Sequence, residues 1–444
     1  MDNRMDKKIL YYIWLNSKLY AGSTSPKILL EHYNDIEKVY EASYDDYKAL
    51  GIGNGDATLL CDKTLDDAKR YYEYCAKEHI AILCYDNPYY PERLKCISDP
   101  PAMFYYKGRI EALDDNACFA MVGTRSCSEN GIRYSYRLGY KAAARGAVVV
   151  NGLAEGCDGA ALAGALDADG YVVGLLGSGI DKIYPPSNKE LFKRVAAQGL
   201  LLTEFPPFTK PDGRNFPVRN RVISGMTLGT VVLEADERSG ALITATRAFS
   251  QGKKLYALPG DIQDRLYEGP LQLIKDGAKP ITDADDFVLE YALMFPHRIN
   301  TKVKISVPEN KENAFVEFAF SAYGIKSDKN SKSKRTLSKP NKFSKANSKE
   351  KEYEDNKTQL QVPDNHLAGT TPAKSVQTSS KKDYSALSVP EQAIMELFEK
   401  NEILSADEIA SYGFKVDDVL SSLTILEIYG YIKALPGGRY EIAE

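Results

Sequence analysis

Six short apolar runs spaced across the middle of the chain, at 119–122, 147–150, 171–176, 200–202, 230–233 and 254–257, constrain its fold more than any other feature. Runs this short and apolar throughout suit strands covered on both faces, and most are followed by a turn residue and then a helical segment. The pattern predicts an α/β fold with a Rossmann-like, doubly wound parallel sheet. In such sheets ligands bind beyond the carboxyl ends of the strands, so function is to be sought in the loops that follow the runs.

Those loops are rich in glycine and small hydroxyl residues. They carry Gly123, Thr124, Arg125 and Ser126; Asn151 and Gly152; Gly177, Ser178 and Gly179; Thr203 to Pro206; Glu234 to Arg238, then Ser239 and Gly240; and Pro259-Gly260. Glycine lets backbone N–H groups approach an anion unobstructed, and a hydroxyl adds a donor. Their concurrence in successive loops predicts a phosphate-binding rim. Arg125 adds a guanidinium there, and Arg219, Asn220 and Arg221 lie where a helix opens with its positive end. Lys189 and Arg214 are weaker candidates. Net charge is only −4, but residues 182–221 hold eight basic residues against three acidic ones, a basic patch in an acidic protein. Phe205, Phe208 or Phe216 could stack a base, although each reads first as core.

Other anion sites are excluded by spacing. The first loop has Gly123 but no G-x-G-x-x-G, and the chain has no G-x-x-x-x-G-K-[ST], so neither a dinucleotide nor a P-loop ATPase is indicated. The four histidines, His32, His79, His297 and His366, avoid the strand-end loops. Glu204, Glu234, Asp236 and Glu237 are the carboxylates near the rim, and each reads first as an arginine's partner. The seven cysteines form no CxxC pair, which points to reduced thiols and to neither a zinc site nor a disulfide framework. No catalytic residue, metal or cofactor is expected.

Taken in order, Val122-Gly123-Thr124-Arg125, Asn151-Gly152-Leu153-Ala154, Ile183-Tyr184-Pro185, Phe216-Pro217-Val218-Arg219-Asn220-Arg221, Ser239-Gly240-Ala241-Leu242-Ile243-Thr244-Ala245 and Leu258-Pro259-Gly260 resemble the DprA (Smf) DNA-processing family. The resemblance spans about 85–295 and begins with Tyr89-Tyr90-Pro91-Glu92-Arg93-Leu94. It implies a domain that binds single-stranded DNA, forms a homodimer, protects incoming DNA and helps load the RecA recombinase in natural transformation. It also implies a small helical domain before the core and often a winged helix after it. The chain departs from the family pattern in having Asn151 for a serine, Cys157 for an isoleucine, Leu162 for a histidine and Ala241 for a serine; Asp158 is kept. The alternative is a nucleotide-processing enzyme of the phosphoribohydrolase type, which shares a related fold. It would need a catalytic glutamate near a P-G-G-x-G-T loop, whereas Pro436-Gly437-Gly438 lies far downstream and Ser239-Gly240-Ala241 holds the comparable place.

The rest of the chain divides by pattern, as 444 residues require two to four domains. Residues 1–80 show helical spacing and predict a small helical, SAM or helix-hairpin-helix-like domain. Its 50–55 segment reads either as a phosphate-binding hairpin or as a tight glycine turn. The Rossmann-like domain occupies 85–295. Residues 300–385, rich in Lys, Ser, Asn and Thr, predict a disordered linker. Residues 386–444 predict a winged helix with its wing at Pro436-Gly437-Gly438. Four basic residues against eleven acidic ones give this last module a net charge of −7, which argues for a protein partner rather than a DNA groove. No apolar run approaches the roughly 18 residues that span a bilayer, and the charged start lacks a signal-peptide core, so no membrane partner and a cytoplasmic location are expected.

Overall fold

The computed structural model describes residues 6–325 and, with gaps, 389–442. The six apolar runs are strands, and together they form most of a nine-stranded sheet. They are β3 (Cys118–Val122), β4 (Val148–Asn151), β5 (Val172–Leu175), β6 (Leu200–Thr203), β7 (Gly229–Val232) and β8 (Lys254–Ala257). β3 to β7 are buried at every position, because helices cover both faces. Each enclosed valine or leucine contributes about 1.5–3 kcal/mol to that core.

Three further strands extend the sheet. β1 (Ala81–Cys84) and β2 (Met103–Gly108) add an antiparallel edge through β2 on β6, and the short β9 (Lys279–Pro280) closes the other side in parallel. The spatial order is β1-β2-β6-β5-β4-β3-β7-β8-β9. From β3 the chain winds one way through β4, β5 and β6 and then returns to add β7 beside β3. The crevice beyond β3 and β7 is therefore the topological switch point.

The helical N-terminal segment comprises α1 (Lys7–Lys18), α2 (Ser25–Tyr33), α3 (Ile36–Glu41), α4 (Tyr44–Ala49), α5 (Asn54–Cys61) and α6 (Asp66–Lys77), and it shares one continuous core with the sheet. Residues 50–53 make the turn between α4 and α5. The helices that cover the sheet are α7 (Glu92–Lys95), α8 (Glu129–Ala144), α9 (Cys157–Asp167), α10 (Lys189–Gln198), α11 (Asn215–Gly225), α12 (Gly240–Ser250), α13 (Glu268–Lys275) and α14 (Asp285–Val288).

One expected boundary is corrected. Residues 309–323, assigned by composition to a linker beginning at 300, form a helix, α15 (Glu309–Tyr323), that packs on α8 and α9. Val316 and Ala319 are buried, and Glu312, 2% exposed, pairs with Arg133 at 3.2 Å and with Arg137 at 2.9 Å. The remainder of that linker, 326–385, lies outside the described residues.

The C-terminal segment has its own core around Ile394, Phe398, Leu404, Ile409, Leu423 and Ile432. It contains α16 (Val389–Lys400), α17 (Ala406–Ser411) and a three-stranded antiparallel sheet of β10 (Ile403–Ser405), β11 (Ile432–Leu435) and β12 (Arg439–Ile442) in the order β10-β12-β11. The expected wing at 436–438 lies outside the described residues. Among the described residues no helix is long and apolar enough to cross a membrane.

Candidate nucleic-acid interface

An open cleft lies at the switch point. Of the expected site residues, the structure brings Gly123, Thr124, Arg125, Gly152, Arg219, Asn220, Ser239 and Gly240 into its walls. The β3 and β7 loops are joined by the Thr124 N–H, which donates to the Glu234 carbonyl at 2.6 Å. Asp158, in the first turn of α9, accepts from the Gly123 N–H at 3.2 Å and the Gly152 N–H at 3.1 Å, so one carboxylate clamps two strand-end loops. Burial pushes its carboxyl up to about 6, against the opposing pull of Arg219 and the two N–H groups.

The cationic part of the cleft is built around one ring. Phe216, in the first turn of α11, has the Arg125 guanidinium 5.3 Å from its centroid and that of Arg219 at 5.8 Å, and Tyr184 stacks on it at 5.6 Å. Arg125 and Tyr184 are exposed. Arg219 is only 7% exposed: Nη1 donates to the Gly152 carbonyl at 3.1 Å and to that of Leu175, and Nε donates to Asn220 Oδ1 at 3.0 Å. Burial lowers its pKa to about 10, with Asp158 opposing and Arg125 adding to the shift. Gly152 is required for this arrangement, since a Cβ there would come within 2.3 Å of the Arg219 guanidinium. Ser239 caps α12 by accepting from the Ala241 N–H at 3.4 Å, and open space surrounds Gly240.

Other expected site residues fall elsewhere. Arg221 is turned away from the rim and is 2% exposed at its side chain, paired with Glu204 at 2.8 Å and Asp99 at 3.0 Å. Asn151 is fully buried; its amide donates to the Met121 and Asp158 carbonyls while its oxygen accepts from the Leu153 N–H. The Gly177-Ser178-Gly179 loop serves packing. A Cβ at Gly177 would strike the Phe216 ring at 2.6 Å, and buried Ser178 supplies its carbonyl to the Thr203 hydroxyl at 2.8 Å. Ser126 is exposed beside the cleft, Lys189 is exposed at the start of α10, and Arg214 is exposed but paired with Asp212 at 3.0 Å.

The basic patch is thus largely compensated. Lys182 pairs with Asp181, Lys193 with Glu190 and Arg194 with Asp167, in addition to the pairs of Arg214 and Arg221. The other candidate rings separate cleanly. Phe205 is buried, while Phe208 packs on Tyr74 of α6 at 4.5 Å.

Sequence reasoning did not assign Tyr184, Arg238 or Asp158 to the site, although all three line the cleft. An exposed aromatic residue in the Ile-Tyr-Pro segment and an arginine in the β7 loop were the available signals. Glu234, the glutamate an enzyme reading would need, is fully buried and accepts from the Ser128 N–H at 2.8 Å and the Ser128 hydroxyl at 2.5 Å. It anchors the β3 loop rather than lining the cleft.

The model of the family described as DNA recombination-mediator protein A matches residues 81–292, the span from β1 to just beyond α14. The DNA processing protein DprA of Bacillus subtilis is 40% identical over 201 residues, 45% of this chain and 68% of that protein. That of Streptococcus pneumoniae is 37% identical over 227 residues, 51% of this chain and 79% of that protein. This chain belongs to the DprA family. The X-ray structure of Streptococcus pneumoniae DprA matches with a TM-score of 0.56 at 32% identity, covering 63% of this chain and 97% of that one. The four residues read from the sequence as departures from the family pattern, Asn151, Cys157, Leu162 and Ala241, are all buried.

Proposed function

We propose that the chain binds single-stranded DNA in the cleft beyond β3 and β7, without performing chemistry on it, and serves as a recombination mediator. The observation that carries this reading is the Phe216 ring with the Arg125 and Arg219 guanidiniums both close to it, Tyr184 stacked on it and glycine-rich loops around it. Sequence-tolerant single-strand binding needs cations along the backbone and aromatic faces for the bases, and this cluster offers both. The family resemblance extends the reading to a cytoplasmic homodimer that protects incoming DNA and delivers it to RecA in natural transformation. By the same resemblance the N-terminal helices are a SAM-like domain and the C-terminal segment is a winged helix.

Fluorescence anisotropy with labelled single-stranded oligonucleotides of differing sequence tests the site. Tyr184→Ala should weaken binding about five- to a hundredfold at every sequence, since stacking is worth about 1–3 kcal/mol per base. Unchanged affinity in both Tyr184→Ala and Arg125→Ala would place the DNA elsewhere.

A further inference from the structure

Beneath the floor of the cleft, three groups with no part in the DNA reading meet. Cys127 ends the β3 loop, Cys157 is the first residue of α9, and Glu234 follows β7. Their two Sγ atoms and one carboxylate oxygen lie within 4.8 Å of one another, and all three residues are buried.

Two independent features point to a cation there. The first is charge: Glu234 is 0% exposed and accepts hydrogen bonds from Ser128 and Tyr267, yet among the described residues it forms no salt bridge. A buried carboxylate without a counter-ion is costly, and a metal ion removes that cost. The second is the donor set. Two sulfurs and an oxygen suit a soft or borderline ion rather than magnesium or calcium. Zinc–sulfur bonds of about 2.3 Å and zinc–oxygen bonds of about 2.0–2.2 Å place tetrahedral ligands about 3.3–3.8 Å apart, inside the observed bound. The N-termini of α8 and α9 also converge on the cluster, Ser128 capping one helix and Cys157 beginning the other, and their positive ends favour anionic ligands.

We propose that Cys127, Cys157 and Glu234 form a binding site for one zinc-class cation, with a fourth position open to water. The ion joins the β3 loop, α9 and the end of β7, the three elements that shape the cleft floor.

The test uses the full chain carrying Cys61→Ser and Cys96→Ser, which removes the two exposed thiols. After chelation and desalting it is titrated with cadmium or cobalt. One equivalent should bind with a thiolate-to-metal charge-transfer band and a raised melting temperature. Cys127→Ala and Cys157→Ala should each abolish the band, and Cys75→Ala, another buried cysteine, should keep it. Glu234→Gln should weaken affinity at least tenfold, about the lower end of what losing a mere supporting group costs. Should a cysteine variant fail to fold, alkylation of the parent chain in partial denaturant replaces it: cadmium should protect Cys127 and Cys157 and no other cysteine. A band that survives both cysteine changes, binding below one equivalent, or protection of other cysteines overturns the site.

Discussion

Arg125, Arg219 and Arg221 occur within or beside family motifs, but their surroundings give them different roles. Arg125 is exposed, so Arg125→Ala should leave the unfolding midpoint unchanged while lowering single-strand affinity and reducing the salt slope by about 0.7 for each phosphate that Arg125 neutralises. Arg219→Ala should cost stability as well, about 1–3 kcal/mol in urea unfolding, because the Gly152 and Leu175 carbonyls lose their donor. Arg221→Ala should cost about 3–5 kcal/mol by stranding buried Glu204 beside Asp99, and any loss of DNA affinity should follow from that instability. A melting temperature unchanged in Arg221→Ala would refute the buried triad. The motif made the arginines visible but not their directions. Two residues apart on a helix are about 200° apart around its axis, so Arg219 and Arg221 cannot both face the rim. That inference was available from spacing. What spacing could not supply was the placement of Asp99 and Glu204, which come from distant parts of the chain to receive Arg221, or the convergence of Cys127 and Cys157.

Among the elements, β3 to β7 were readable because enclosure on both faces makes a strand largely apolar, and β8 was readable from its three apolar residues after exposed Lys254. β1 and β2 were harder. Inside the edge strand β1, β2 runs Met-Phe-Tyr-Tyr-Lys-Gly with burial fading along it, and its antiparallel pairing leaves no βα unit to announce it. α15 was hidden differently. Its Phe315, Val316, Phe318 and Ala319 lie at helical spacing between Pro308 and Gly324, but the lysine- and serine-rich composition that follows obscured the boundary. A chain ending at Ile325 should therefore keep full stability and single-strand affinity. One ending at Asn300 should lose about 2–4 kcal/mol through exposure of the α8 and α9 faces that α15 covers. Equal melting temperatures for the two would show that α15 is dispensable.

At the scale of the whole molecule, the account places DNA binding in the central sheet and protein binding in the acidic C-terminal segment. Lys433, one of four basic residues in that segment, is already paired with Glu441 at 2.8 Å. The isolated 386–444 segment should bind no duplex DNA at physiological salt, and submicromolar duplex affinity would refute this assignment. Light scattering on residues 1–325 at micromolar concentration should give twice the chain mass; a monomer that still binds DNA would contradict the homodimer. The central claim, a cleft that grips one DNA strand by charge and stacking, is tested most directly by salt-titrated binding of the full chain to matched single-stranded and duplex oligonucleotides, repeated with Arg125→Ala. The account predicts tighter binding of the single strand at every salt concentration and a shallower salt dependence, by about 0.7, in the variant. Equal affinity for duplex, or superimposable salt curves for the variant and the parent, would contradict it.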